Sequence, residues 1–205
     1  MTLRVLVACE NSGMVRRAFQ SVGCAAWSCD LKSAVDGSTE HIKGDILGVL
    51  DQQWDLMIAH PPCTYLASSG LHWNVRDAER RAKTEDAIRF VLRLASARIP
   101  RIAIENPVGI LSTRWRKPDQ IIHPWMFGND ISKATCLWLQ NLPKLKPTHI
   151  LPPSSRRSNQ GKGGQDNTGG GWDRANRRSM TWPGIADAMA LQWGQLPSLW
   201  RAGAE

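Results

Sequence analysis

Short, uninterrupted apolar runs set between segments of helical period constrain this chain more than any other feature. "RVLVAC" (Arg4 to Cys9) carries no polar residue from Val5 to Ala8. A strand made of it has to be covered on both faces, as in parallel sheets flanked by helices. "MVRRAFQSV" follows with Val15, Ala18, Phe19 and Val22 on one helical face, and Gly23 is placed to close it. "AAWSCDL" (Ala25 to Leu31) is the next expected strand, then "HIKGDIL" after a polar stretch, then "WDLMIAH" (Trp54 to His60). Arg76 to Arg98 is the longest expected helix, with Ala87, Ile88, Val91, Leu92 and Ala95 as its apolar stripe. "RIAIENP" (Arg101 to Pro107) and "ATCLWL" (Ala134 to Leu139) read as two further strands. The alternation predicts an α/β fold with a Rossmann-like, doubly wound, mostly parallel sheet.

At 205 residues the chain suits a single domain with a sizeable core. Residues 1–150 are expected to form its body. Apolar periodicity stops after Leu142, and 151–180 are rich in Gly, Ser, Asn and Arg, which predicts an irregular, mobile basic loop. Residues 181–205 then bring "PGIADAMALQW", a helix with Pro183 at its start that completes the core. No apolar run is long enough to span a bilayer, and the first residues lack the order of a secretion signal. The expected location is the cytoplasm, with no membrane partner. Five cysteines without a C-x-x-C pair argue for reduced thiols rather than a disulfide framework or a metal site. The formal net charge is +8, and Arg156 to Arg178 alone holds six Arg or Lys against two Asp. That surplus points to a polyanionic partner, nucleic acid before anything else. Ten tryptophans divide between core packing and stacking on bases.

In a doubly wound sheet, ligands gather at the carboxyl ends of the strands. The first strand runs into "CENSG", where Asn11, Ser12 and Gly13 make either a plain tight turn or one whose amides face a polar ligand. The second ends at Asp30, roughly twenty residues beyond that turn, a position suited to ribose hydroxyls. Asp45 of "GDI" follows at the third, where a carboxylate can accept from an adenine amine. In "AHPPCTYLASSG", Pro61 holds His60 extended and Pro62 fixes its own φ. Cys63 therefore leaves the strand in a restricted direction. It is either a small buried hydrophobe or a mounted nucleophile, and the polar, flexible-looking "TYLASSG" after it favours the second. Glu105 closes another apolar run, where low-dielectric walls can raise a carboxyl pKa and make it a proton donor; a simple ion-pair role is the alternative.

The ordered series "RVLVACENSG", "SCDL", "GDI", "HPPCTYLASSG" and "IENPVGIL" resembles the motifs of S-adenosylmethionine-dependent DNA (cytosine-5) methyltransferases, a class I methyltransferase type. The resemblance covers Val5 to Ile110 and rests chiefly on the Pro-Cys and Glu-Asn dipeptides. It implies that Cys63 is the nucleophile and that Glu105 engages the cytosine ring at N3. It implies an S-adenosylmethionine pocket lined by Glu10, Asn11, Ser12, Gly13, Asp30, Leu31, Asp45, Ile46, His60 and Pro61. Substrate contacts would come from Pro62, Tyr65, Ser68 and Asn106, with Lys133, Arg156, Arg157, Arg177 and Arg178 towards the nucleic acid. Lys133 stands where the family carries an arginine-bearing strand motif. No segment matches the family's separate target-recognition domain. Recognition then falls to the basic loop, a second copy of the chain, or a separate subunit.

The implied reaction adds a thiolate to C6 of cytosine, which makes C5 nucleophilic enough to take a methyl group. Three other readings of the same residues stand beside it: C5 chemistry on RNA or a free nucleotide, methylation of an exocyclic amine, and a catalytically silent nucleic-acid binder. "HPPCTY" differs from the strand-end motif of amine methyltransferases by a cysteine where those carry an aromatic residue.

Overall fold

Alternate residues of the apolar runs point to opposite faces of one sheet, and each face meets its own cluster of buried side chains. This is a computed structural model, and it describes residues 2–158 and 180–197. The sheet contains β1 (Arg4–Ala8), β2 (Ala25–Asp30), β3 (His41–Lys43), β4 (Leu56–Ala59), β5 (Arg101–Pro107), β6 (Gln120–Ile122) and β8 (Thr135–Gln140). Their order is β3-β2-β1-β4-β5-β8-β6. The first five run parallel, while β8 lies antiparallel to both β5 and β6. The strand order reverses beside β1, so the chain leaves a crevice beyond its carboxyl end.

Val5 and Val7 of β1, Leu56 and Ile58 of β4 and Ala103 of β5 face α1 (Met14–Ser21) and α4 (Pro183–Trp193). Phe19, Ile185, Met189 and Trp193 fill that layer. Leu6, Ala8, Met57, Ala59, Ile102 and Ile104 face the other way, onto α2 (Ala78–Ala95) through Ile88, Val91 and Leu94. Burial on both sides explains the continuous runs. Each buried Leu, Ile or Phe contributes about 1.5–3 kcal/mol of transfer free energy, far above any strand-propensity difference, so packing decides these elements.

Several expected bounds tighten. Arg76 to Arg98 shortens to α2, because the Asp77 carboxylate accepts from the Arg80 amide at 2.9 Å and caps the helix there. Residues Ser68–Val75 before it form a 3-10 segment. "HIKGDIL" contributes only three strand residues before Asp45 starts a further 3-10 turn at Ile46–Gly48. Two elements have no apolar signature of their own: α3 (Leu111–Arg114) and β6, which is held by pairing to β8. The span after Leu142 is extended and leads to β9 (Arg157–Ser158), which pairs in parallel with β7 (Ile131–Ser132). The greater part of the basic loop, including Arg177 and Arg178, lies outside the described residues. No helix among the described residues is long and apolar enough to cross a membrane.

Candidate active site at the strand ends

Chain geometry at the end of β1 is dictated by a helix that needs an N-cap. Glu10 is buried, and its Oε1 accepts from the Val15 amide at 2.7 Å and the Ser12 hydroxyl at 3.0 Å. Its Oε2 accepts from the Arg16 amide at 3.3 Å. A carboxylate facing the first-turn amides of α1 satisfies donors the helix leaves open and complements its dipole. Glu10 is thus committed to the helix, and what it gives the crevice is the shape of the turn. Gly13 sits at φ 70°, and a Cβ there would stand 2.6 Å from the Arg16 and Asp36 side chains. Only glycine suits that point. Asp36 takes both the Arg16 and Arg17 guanidinium groups, and the Val35 amide donates to the Asn11 carbonyl at 2.8 Å. The segment after β2 is thereby drawn over the turn.

Asp30 is half-buried and accepts from the Lys32 amide at 2.9 Å; Asp45 is exposed and accepts from the Leu47 amide at 3.0 Å. Both carboxylates act on the thiol of Cys9, whose pKa is pushed up to about 12, first by burial and then by these charges and Cys29. Both acids therefore stand close to the carboxyl end of β1. Leu31 projects into solvent and Ile46 packs in the core.

The β4–β5 edge holds the other half of the site. Ala59 pairs with Ile104, so His60 and Glu105 leave adjacent strands side by side. Their contact is His60 Nδ1 to Glu105 Oε2 at 3.2 Å, with the side chains 7% and 22% exposed. Burial is the largest single influence on Glu105 and pushes its carboxyl up. The His60 hydrogen bond and the positive charges of His60 and Lys133 together outweigh it, so Glu105 lies below its ordinary value. The sequence-based expectation of a raised carboxyl pKa is therefore corrected: the expected surroundings were apolar walls, and the fold supplies the His60 hydrogen bond and the Lys133 charge as well. Lys133 acts on Glu105 from two residues before β8, whose Leu137 lies opposite Glu105 in antiparallel register.

Asn106 donates from Nδ2 to the Pro61 carbonyl at 2.8 Å, tying the residue after Glu105 to the Pro-Pro step that carries Cys63. Pro61 is buried and Pro62 exposed. The Cys63 side chain is exposed and in no disulfide. Its own carbonyl accepts from the Leu66 and Ala67 amides at 3.0 and 2.9 Å, a turn that starts at the cysteine. His60 Nε2 and Asn106 Oδ1 are buried polar atoms without a hydrogen-bond partner among the described residues. They are two of eight such atoms among the described residues, and at the strand ends water or a ligand can complete their bonding.

The "TYLASSG" segment, expected to be flexible, is instead pinned on both flanks. Leu66 is buried; its carbonyl accepts from the Ile110 amide at 2.9 Å, and the Ser68 amide donates to Val108 at 3.1 Å. Gly109 permits this approach, since a Cβ there would lie 1.9 Å from the Leu66 oxygen. Arg80 of α2 supplies the second tether. It donates to the Thr64 carbonyl at 3.0 Å and to the Gly70 carbonyl at 3.3 Å, and its guanidinium stands 5.1 Å from the Tyr65 ring centroid. Arg80 carries no motif-level signal, since a helix-face arginine is usually a solvated residue, and Gly109 lies within the quoted "IENPVGIL" without its packing role being legible there.

On the far flank, β6 runs parallel to β5, so His123 and Trp125 emerge at the same edge. Arg156 lies 3.5 Å over the Trp125 ring centroid, and its Nε donates to Leu151 at 2.9 Å. Arg157 pairs with Asp130 at 2.7 Å. Both arginines expected to meet nucleic acid are thus engaged within the chain, though at the carboxyl edge beside Lys133.

Cys24, Cys29 and Cys136 join Cys9 in having thiols raised first by burial, Cys29 to about 11. Alkylation by iodoacetamide at neutral pH is therefore expected to modify Cys63 first, because attack needs an accessible thiolate. Peptide mass mapping checks this, and labelling of Cys9 ahead of Cys63 contradicts the geometry.

No protein-family model and no curated protein matches the chain. Among solved structures it is similar to a candidate DNA modification methyltransferase encoded within a prophage of E. coli, at 15% identity and a TM-score of 0.49, covering 74% of this chain and 52% of that one. It is also similar to a mutant of Spodoptera frugiperda DNMT2, at 14% identity and a TM-score of 0.45, covering 73% and 54%. The chain spans about half the length of these structures.

Proposed function

We propose that this protein transfers a methyl group from S-adenosylmethionine to C5 of cytosine in DNA, with Cys63 as the nucleophile. The observation that carries the reading is an exposed cysteine two residues beyond a backbone carbonyl that Asn106 holds, in the segment that leaves β4 through a half-buried His60 contacting Glu105 of the adjacent strand. The cofactor fits the residues present. Asp30 and Asp45, at successive strand ends, offer acceptors for ribose hydroxyls and an adenine amine. The orphaned His60 Nε2 and Asn106 Oδ1 leave polar capacity for bound ligands where the two halves meet. When bound, S-adenosylmethionine supplies the electrophilic methyl group.

The chain's own residues then do the following. The Cys63 thiolate forms a bond to C6, and the C5–C6 π electrons move into the ring, raising the basicity of N3. Glu105 delivers a proton to N3 as that basicity rises, and the His60 Nδ1 proton moves to Glu105 across their 3.2 Å contact. A carboxylate held below its ordinary value cannot be the resting proton store, so the pair acts as the unit. Lys133 offsets the negative charge gathered there. Once C5 has taken the methyl group, solvent water accepts the C5 proton as the C6–S bond breaks and Cys63 leaves as its thiolate, and N3 returns its proton to the pair.

Incubation with methyl-labelled S-adenosylmethionine and cytosine-containing DNA, RNA and nucleotides, followed by nucleoside analysis, tests the reading. The expected product is 5-methyldeoxycytidine. Label on an exocyclic nitrogen, on RNA alone, or on nothing overturns it.

A further inference from the structure

Trp73 stands ten residues beyond Cys63 and is 52% exposed. An indole left half in water forgoes much of the burial that normally places tryptophan inside. Its ring stands against His72, at 4.8 Å between centroids and an interplanar angle of 41°. The segment that presents it is firmly mounted. Asn74 donates to the Thr84 hydroxyl at 2.9 Å, and the Arg76 and Asp77 amides donate to the Trp73 carbonyl at 3.1 and 3.0 Å. Arg80, within the next two turns, is the residue that tethers Thr64 and Gly70. The same few residues therefore hold the cysteine loop and an outward-facing indole together.

Two exposed arginines follow it closely in the chain. Arg76 and Arg81 are exposed, and neither forms an ion pair among the described residues. The nearby acids are occupied: Asp77 caps α2 through the Arg80 amide, and Glu79 pairs with Lys83 at 2.6 Å. An accessible aromatic face flanked by unpaired guanidinium groups is the chemistry that binds unpaired bases and the phosphates joining them.

We propose that Trp73, flanked by Arg76 and Arg81, is the stacking platform for a single-stranded stretch of nucleic acid next to the target cytosine. This deepens the proposed function and rests on it for the location of the target. A base lies on the indole, and the neighbouring phosphates face the two arginines.

Fluorescence anisotropy of a short labelled single-stranded deoxyoligonucleotide containing one cytosine tests the platform, in a Cys63→Ser background so that no covalent step contributes. Trp73→Ala is expected to weaken binding by about tenfold, while Trp73→Phe retains most of the affinity. Arg76→Ala with Arg81→Ala is expected to lower the slope of log affinity against log salt by about one. S-adenosylmethionine affinity, read by isothermal titration, stays unchanged in every variant. Unchanged oligonucleotide binding by Trp73→Ala overturns the platform, as does a parallel loss of cofactor affinity, which makes the residue structural. If the wild-type protein leaves C5 unmethylated while Trp73→Ala still loses oligonucleotide binding, the strand contact stands and the C5 reading falls. If C5 is methylated and Trp73→Ala binds normally, only the platform falls.

Discussion

Cys63→Ser is expected to lower methyl transfer by at least about a thousandfold while leaving S-adenosylmethionine affinity unchanged. The size follows from what the sulfur does. A serine hydroxyl is far less ionised near neutral pH than a thiol and is a weaker nucleophile, so the covalent route loses about 4 kcal/mol or more of transition-state stabilisation. The crevice proposed for the cofactor lies beyond the ends of β1, β2 and β3, whereas Cys63 follows β4. Rate and affinity should therefore separate. A DNA strand with 5-fluorocytosine at the target gives a companion measurement. Fluorine cannot leave C5 as the proton does, so the wild-type protein should gain the mass of the strand and the serine variant should not. Retained transfer by Cys63→Ser, or turnover without an adduct, would move the chemistry away from this sulfur.

The second large effect belongs to Glu105. Glu105→Gln keeps the shape of the side chain but removes the group through which a proton can pass to the ring, so kcat should fall by about a hundredfold to a thousandfold. The same substitution has a pH signature. The folded-state carboxyl lies below its ordinary value, because His60 and Lys133 outweigh burial. Its ionised form therefore stabilises the fold above the unfolded carboxylate pKa of about 4.3. That contribution disappears as pH falls through the lower, folded-state value. Melting temperatures of the two proteins should differ most near neutrality in favour of the wild type and converge in acid. Divergence on acidification, with the wild type gaining, would mean that burial wins and that Glu105 is the resting proton donor after all.

Much of this site could be read from the chain because strand ends are local events. A run such as "LMIA" is buried wherever it goes in a parallel sheet, and the first polar residues after it must emerge at the edge. Asp30, His60 and Glu105 were placed by that rule, and β5 (Arg101–Pro107) and α4 (Pro183–Trp193) match the expected segments residue for residue. The electrostatic state of Glu105 was not legible. It depends on a neighbouring strand 45 residues earlier in sequence and on a lysine delivered by an antiparallel strand. Nor was the rigidity of the Cys63 loop, since Thr64 to Gly70 has turn-forming composition and gains its order from Arg80 and from the backbone beside Gly109. Glu10 entered the expected pocket only through the family resemblance, and its hydrogen bonds to the first-turn amides of α1 come from tertiary contacts that the motif does not show.

The sequence by itself determined which segments are buried strands, which edge of the sheet carries the polar residues, and which thiol follows a rigid proline step. These are consequences of side-chain chemistry and period, and they need no knowledge of neighbours. Tertiary structure decided what those polar residues are: a helix cap at Glu10, an ionised carboxyl at Glu105, a tethered loop behind Cys63, and an indole at Trp73 left facing water. Each of those depends on which groups from distant parts of the chain come within a few ångströms, where desolvation and Coulomb terms of opposite sign are compared and the larger one prevails.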